Sequence, residues 1–103
     1  MIKVSVMYPH APGARFDHGY YATRHMPMVL ARVGASCRGH SVDKGLSGGG
    51  KAAAPYVAMC HLNFDSIEAF QVGFGVHLKE FMADTPNYTD IAPVMQISEV
   101  VEV

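Results

Sequence analysis

The sequence predicts one α+β domain with the element order β-α-β-β-α-β, and three observations carry that reading. Residues 2 to 8, "IKVSVMY", alternate so that Ile2, Val4, Val6 and Tyr8 share one face of a strand. Two later stretches, 17–34 and 65–81, instead repeat their apolar residues at steps of three and four, the helical period. Three further strand candidates, "CRGHSVDKGL", "YVAMCHLNF" and "VMQISEVVEV", complete the order. This is the ferredoxin-like βαββαβ unit, in which two helices cover one face of a four-stranded antiparallel sheet.

Each element has its own local reason. "PHAPGARF" is a loop by its prolines and glycine, and Asp17 is placed to cap the first helix. Ala22, Met26, Val29, Leu30 and Val33 then form one stripe, which Gly34 ends. Pro27 sits inside that helix and has no N–H for the Thr23 carbonyl, so a kink or a loosened turn is expected there. "CRGHSVDKGL" is the weakest strand candidate, and "SGGGKAAAP" is a flexible connection. "YVAMCHLNF" reads as a buried strand, apolar on both faces apart from His61. "DSIE" offers Asp65 and Glu68 as a capping box for the second helix, whose stripe is Ile67, Phe70, Phe74, Leu78 and Phe81. "ADTPNYTDIAP" is a turn-rich loop before the last strand.

Bulk properties narrow the class. At 103 residues there is room for one core, and 1–103 reads as a single domain with no repeat or internal linker. Half the residues are apolar and the net charge is −1 with scattered basic residues, which leaves no footprint for nucleic acid or an anionic membrane. Two cysteines make no disulfide framework, the N-terminus lacks a signal-peptide pattern, and no apolar run approaches the roughly 20 residues of a membrane span. The expectation is a soluble, cytoplasmic protein.

Burial adds a partner. Val57 and Met59 oppose Ala58 and Leu62 across the sheet, and Met95 and Ile97 oppose Val94 and Val100. Two helices cover one face only, and bare apolar surface costs roughly 25 cal/mol per Å². A second copy packed through the open sheet face, giving an isologous homodimer, is the economical solution.

The chemistry-bearing residues cluster in two places. Tyr21 and His25 stand four apart, on one side of the first helix at the border of its stripe. A histidine takes or gives a proton near neutral pH, and a tyrosine hydroxyl donates to a developing oxyanion. The tail "PNYTDIAPVMQIS" adds Tyr88, Asp90, Gln96 and Ser98, whose convergence with the helix depends on loop routing. Against this stands the ordinary role of such residues: a His at a stripe edge as a hydrogen-bonded structural group, Tyr88 as packing, Asp90 as a turn-former. His10, His18, His25, His40, His61 and His77 show no metal-ligand spacing with one another or with cysteine. His61 is expected to satisfy a buried hydrogen bond and His77 to sit at a helix edge. Cys60 reads as core, and neither it nor Cys37 has the basic neighbours of an activated thiol. "GLSGGGK" lacks the Walker spacing and leads into a strand, so it is no phosphate loop.

Three stretches, "MIKVSVMYPHAPGARFDHGYYATRHMPMV", "PYVAMCHLNFDSIEAFQVGF" and "PNYTDIAPVMQISEV", resemble the EthD family over nearly the whole chain. The most specific pieces are the "YYATRHMP" helix and the "YTDIAPVMQIS" tail. The resemblance implies a dimeric α+β barrel built from ferredoxin-like protomers. It also implies a bacterial protein tied to ethyl tert-butyl ether degradation, accompanying a haem-thiolate oxygenase system. Some fungal relatives are associated with dehydration or cyclisation of polyketide-like intermediates. The family motif falls on Tyr21, His25 and Pro27 and on Tyr88, Asp90, Pro93 and Gln96.

Two functions follow as expectations. An enzyme would hold a small apolar metabolite between helices and sheet, with His25 as acid or base, Tyr21 or Tyr88 polarising an oxygen, and Asp90 orienting a partner. Isomerisation, dehydration or cyclisation suits a chain with no nicotinamide or flavin fingerprint, so no redox cofactor is expected. The alternative is a non-catalytic module that binds the metabolite or docks on an oxygenase component. Haem ligation by a histidine is a third reading, which a visible absorption spectrum would decide.

Overall fold

The computed structural model describes residues 1–103 and carries the expected order. Strands β1 (Ile2–Pro9), β2 (Gly39–Lys44), β3 (Tyr56–Phe64) and β4 (Val94–Glu99) form one antiparallel sheet in the order β2-β3-β1-β4. The first helix runs over residues 18–33 and the second over 67–84, and both lie on the same face of the sheet. This is the ferredoxin-like arrangement, and the weak β2 candidate is a strand. No helix is long and apolar enough to cross a membrane.

The core lies between sheet and helices. Val4 and Tyr8 from β1 and Ala58, Cys60, Leu62 and Phe64 from β3 point into it by strand alternation. Val29 and Val33 meet them from the first helix, and Phe70, Phe74 and Phe81 from the second. Fully burying a side chain such as Leu62 or Phe64 stabilises the fold by roughly 1.5–3 kcal/mol. A Cβ on Gly73 would collide with the Ser36 side chain, so glycine there lets the end of the first helix seat against the second.

Helix ends differ in detail from the sequence reading. Asp17 caps the first helix as expected, its carboxylate accepting from the Tyr20 N–H at 3.0 Å. Gly34 ends that helix at φ 55°, a conformation that favours glycine, and a 3₁₀ turn follows. Ser66, not Asp65, caps the second helix, with its Oγ accepting from the Ala69 N–H at 3.1 Å. Asp65 instead faces Arg38 at 3.6 Å in an exposed pair of small energetic weight. Ile67 sits in the first turn beyond the packed sheet and is 41% exposed, so the buried stripe begins at Phe70.

The open face of the sheet is less apolar than the strand sequences suggest. Its register gives three rows: Asp43, Met59, Met7 and Val94; then Ser41, His61, Ser5 and Gln96; then Gly39, Asn63, Lys3 and Ser98. Only the first row is mainly apolar. His61 Nδ1 lies 2.7 Å from Ser5 Oγ, so the histidine makes the expected polar contact, but on the half-buried open face and not in the core. Val100 lies past the end of β4 and belongs to neither strand face.

Candidate active site

Four segments converge at the end of the sheet near Tyr8. The alternation of β1 carries Tyr8 inward, to 2% exposure. The first helix brings Tyr21 and His25, the last turn of the second helix brings Asp84, and the 3₁₀ turn Thr85–Asn87 delivers Tyr88.

The first helix is not regular here. Residues Tyr21–His25 form a π-helical turn, in which the Met26 N–H reaches the Tyr21 carbonyl five residues back. Pro27, one residue on, offers no N–H to the Thr23 carbonyl, so the loosened turn expected from the sequence is present. The extra residue in the turn shifts the phase of the helix. Ala22 is therefore exposed rather than part of the stripe, while Tyr21 and His25 are buried at 2% and 5% exposure. Their rings stack at 5.5 Å and 13°.

His25 bonds to two side chains and to no backbone group. Its Nδ1 lies 2.9 Å from Asp84 Oδ2, and its Nε2 lies 3.4 Å from the Tyr88 hydroxyl. The Tyr88 hydroxyl in turn lies 2.6 Å from that of Tyr8. Asp84 is held from its other side, where Tyr20 Oη and Asn87 Nδ2 each donate to Oδ1 at 2.8 Å.

The electrostatics assign the protons. Burial pushes the His25 pKa down, and the bond to Asp84 only partly restores it. Burial raises the Asp84 carboxyl, but the bonds from Asn87, His25 and Tyr20 together outweigh it and hold the carboxyl below its usual range. The short contact at Nδ1 has the geometry of an ion pair, yet both shifts favour a neutral imidazole beside an ionised carboxylate at pH 7. His25 Nδ1–H therefore donates to Asp84, and Nε2 carries the lone pair. Burial drives Tyr8, Tyr21 and Tyr88 upward, so all three hydroxyls stay protonated. Tyr8 donates to Tyr88, and Tyr88 donates to His25 Nε2, a chain in which each bond polarises the next.

A cavity of about 150 Å³ opens against this chain. Tyr8, Tyr21, His25 and Tyr88 line one wall, and Val6, Val29, Phe74, Phe81 and Met95 supply apolar surface around it. That volume suits one benzene-sized ring. Cys60 lines it too, as a buried thiol whose pKa burial raises, consistent with core rather than nucleophile. No group of three His, Cys, Asp or Glu side chains could hold a metal ion.

Of the residues singled out from sequence, the structure brings Tyr21, His25 and Tyr88 together. Asp90 stands apart: its Oδ1 accepts from the Arg15 N–H at 2.9 Å, in an open hollow outside the cavity. Gln96 lies on the open sheet face and bonds Ser98 at 3.0 Å. Asp84 and Tyr8 join the same hydrogen-bonded cluster, and the motif reading passed over both. Each had a signal, since Asp84 follows Phe81 by three residues on the inward stripe and Tyr8 ends the inward face of β1.

Fold and site together define a ferredoxin-like α+β protein with a buried His–Asp pair beside a small apolar cavity. The model of the EthD domain matches residues 13–92, and the chain belongs to the EthD family. It is similar to an EthD-like protein of Ralstonia eutropha JMP134, with 55% identity, a TM-score of 0.91, and coverage of 98% of this chain and 92% of that one. An ethyl tert-butyl ether (EthD) family protein of Bacillus halodurans C-125 shares 17% identity at a TM-score of 0.69, covering 98% and 99% of the two chains. A putative antibiotic biosynthesis monooxygenase of Bordetella bronchiseptica shares the fold at 10% identity and a TM-score of 0.55, with 98% of each chain covered. No curated protein matches the sequence.

Proposed function

We propose that this EthD-family protein binds one small, mostly apolar molecule in the cavity beside His25 and moves a proton on it, in the degradation of ethers or similar xenobiotics. The observation that carries the reading is the chain Asp84–His25–Tyr88–Tyr8, which ends at an otherwise apolar wall. Asp84 fixes the tautomer; when the Tyr88 hydroxyl turns from Nε2, 3.4 Å away, to a substrate oxygen, Nε2 of His25 is freed as the base and the hydroxyl stabilises negative charge on that oxygen. Isomerisation, dehydration or cyclisation needs no more than this. Deuterium incorporation into small ketones in heavy water, followed by NMR, tests it directly. Turnover that falls on the order of 10²–10⁴-fold in His25→Gln, with ligand affinity kept, supports catalysis.

One observation favours a second reading. Both ring nitrogens of His25 already have partners within the protein, as in a site that orients a ligand without reacting with it. A non-catalytic binding protein, serving an oxygenase system as carrier or docking component, would show no exchange with any ketone. It would lose affinity, and nothing else, in His25→Gln.

The same proposal takes the protein as a homodimer through the open sheet face. Supporting it is the half-exposed Val94 in the apolar row of that face, beside Met7 and Met59. Sedimentation equilibrium decides the point, since a monomer at every concentration rules the dimer out.

A further inference from the structure

The apolar cavity does not stand alone. A second, more open hollow of about 490 Å³ adjoins it, and Met82, Thr85 and Pro93 line both. Past those three residues the wall gains charged and hydroxyl side chains, while most of the surface it exposes stays apolar. The outer hollow carries Arg15, Thr89 and Asp90, and Arg15 is the only cation on its wall.

Arg15 is held at the mouth by three bonds. Its N–H donates to Asp90 Oδ1 at 2.9 Å, its carbonyl accepts from Thr89 Oγ1 at 2.6 Å, and its Nη2 donates to the Pro86 carbonyl at 2.8 Å. These contacts tie the loop before the first helix to the loop after the second. The guanidinium's own partner is a neutral carbonyl, and no ion pair forms at it. Asp90 spends one oxygen on the Arg15 backbone and softens the positive field without pairing the side chain. A guanidinium presents five N–H donors in a fork that matches a carboxylate.

We propose that the paired hollows take an amphipathic acid, its apolar body in the inner cavity beside His25 and its carboxylate at Arg15. This rests on the pocket reading above and names the ligand class for it. The inner cavity limits the body to about one ring, while the outer hollow leaves room for a spacer and a polar head. Asp90 acts as a brake on affinity, because its charge opposes that of the ligand.

Calorimetric titration of the full chain with ω-phenylalkanoates of increasing spacer length, beside the matching alcohols and amines, tests the proposal. At pH 7 and low salt the best acid is expected to bind about tenfold tighter than its alcohol. Arg15→Gln should erase that preference and leave alcohol affinity unchanged, Arg15→Lys should keep part of it, and Asp90→Asn should tighten the acid several-fold. All three variants keep the backbone bonds at position 15 or lose only one of them. Alcohol binding with no preference for the acid, or a preference for the amine, overturns the Arg15 proposal and leaves the pocket standing. Acid binding that survives a cavity-filling Val29→Trp overturns the two-hollow placement. Failure of acids, alcohols and amines alike to bind overturns both this proposal and the pocket reading.

Discussion

Nδ1 of His25 lies 2.9 Å from Oδ2 of Asp84, a pair 59 residues apart in the chain and joined only by the packing of one helix against the other. The contact fixes which nitrogen carries the proton. It also ties the imidazole to the last turn of the second helix, where Tyr20 and Asn87 hold the same carboxylate in place.

Asp84→Asn keeps the shape and removes the charge, so His25 can turn or adopt the other tautomer. Turnover is expected to fall on the order of 10²–10⁴-fold with little change in KM. The pKa of His25 should drop further, because the only contributions that raise it come from Asp84. NMR titration of the imidazole alongside kinetics checks both. An unchanged pKa would detach Asp84 from the site.

Stability should depend on pH in two steps. His25 has a lowered pKa in the fold, so the unfolded chain binds its proton more readily. The stabilisation is present above the unfolded value near 6.5 and is lost as pH falls below it. His18 is lowered as well and adds a slope of the same sign. Asp84 is also lowered, and its contribution disappears in the acid range below about 4. Thermal unfolding from pH 8 to pH 3 should show both falls, and His25→Gln should remove most of the first. A variant that tracks the parent curve through pH 6 would show that His25 is not the group responsible.

The Tyr8 and Tyr88 hydroxyls depend on each other, at 2.6 Å in a buried site. Removing either one leaves a hydroxyl short of a partner and should cost about 1–3 kcal/mol. Removing both as Tyr8→Phe and Tyr88→Phe leaves nothing unpaired between them. Denaturant melts of the two single variants and the double variant should therefore give a double loss smaller than the sum. Strict additivity would mean that the hydroxyls act separately.

The element order was readable because each element announces its period locally: Val4, Val6 and Tyr8 on alternate positions, and Phe70, Phe74 and Phe81 at helical steps. Tyr21, His25 and Tyr88 were readable as chemistry for the same reason, since their types and the proline beside His25 stand out. What could not be read is which acid meets the histidine. Asp90 lies in the motif and Asp84 does not, yet the choice between them is made by how the second helix ends and how the loop turns away. The capping residue failed in a similar way. Asp65 and Ser66 are both good caps, and one residue of phase decided for Ser66. The apolar look of β3 and β4 misled because alternation was read within strands and not across the register, which gathers Ser5, His61 and Gln96 into one polar row.

Pro27 raises the question of what holds the π-helical turn open. Replacing it with alanine restores an N–H that could bond the Thr23 carbonyl and pull the turn into a regular α-helix, a gain of about 0.5–1.5 kcal/mol. Closing the turn would also rotate Tyr21 and His25 by roughly 100° relative to the residues after them. That rotation takes two buried rings out of the core and breaks the bonds to Asp84 and Tyr88. Exposing an aromatic ring costs about 1.5–3 kcal/mol, and losing a hydrogen bond to a charged group about as much again. Packing therefore wins. Pro27→Ala should keep the π turn, leave overall stability within about 1 kcal/mol, and leave the His25 imidazole signals and their titration unchanged. If instead the imidazole of the variant titrates like that of an exposed histidine, the proline itself is what keeps His25 facing the cavity.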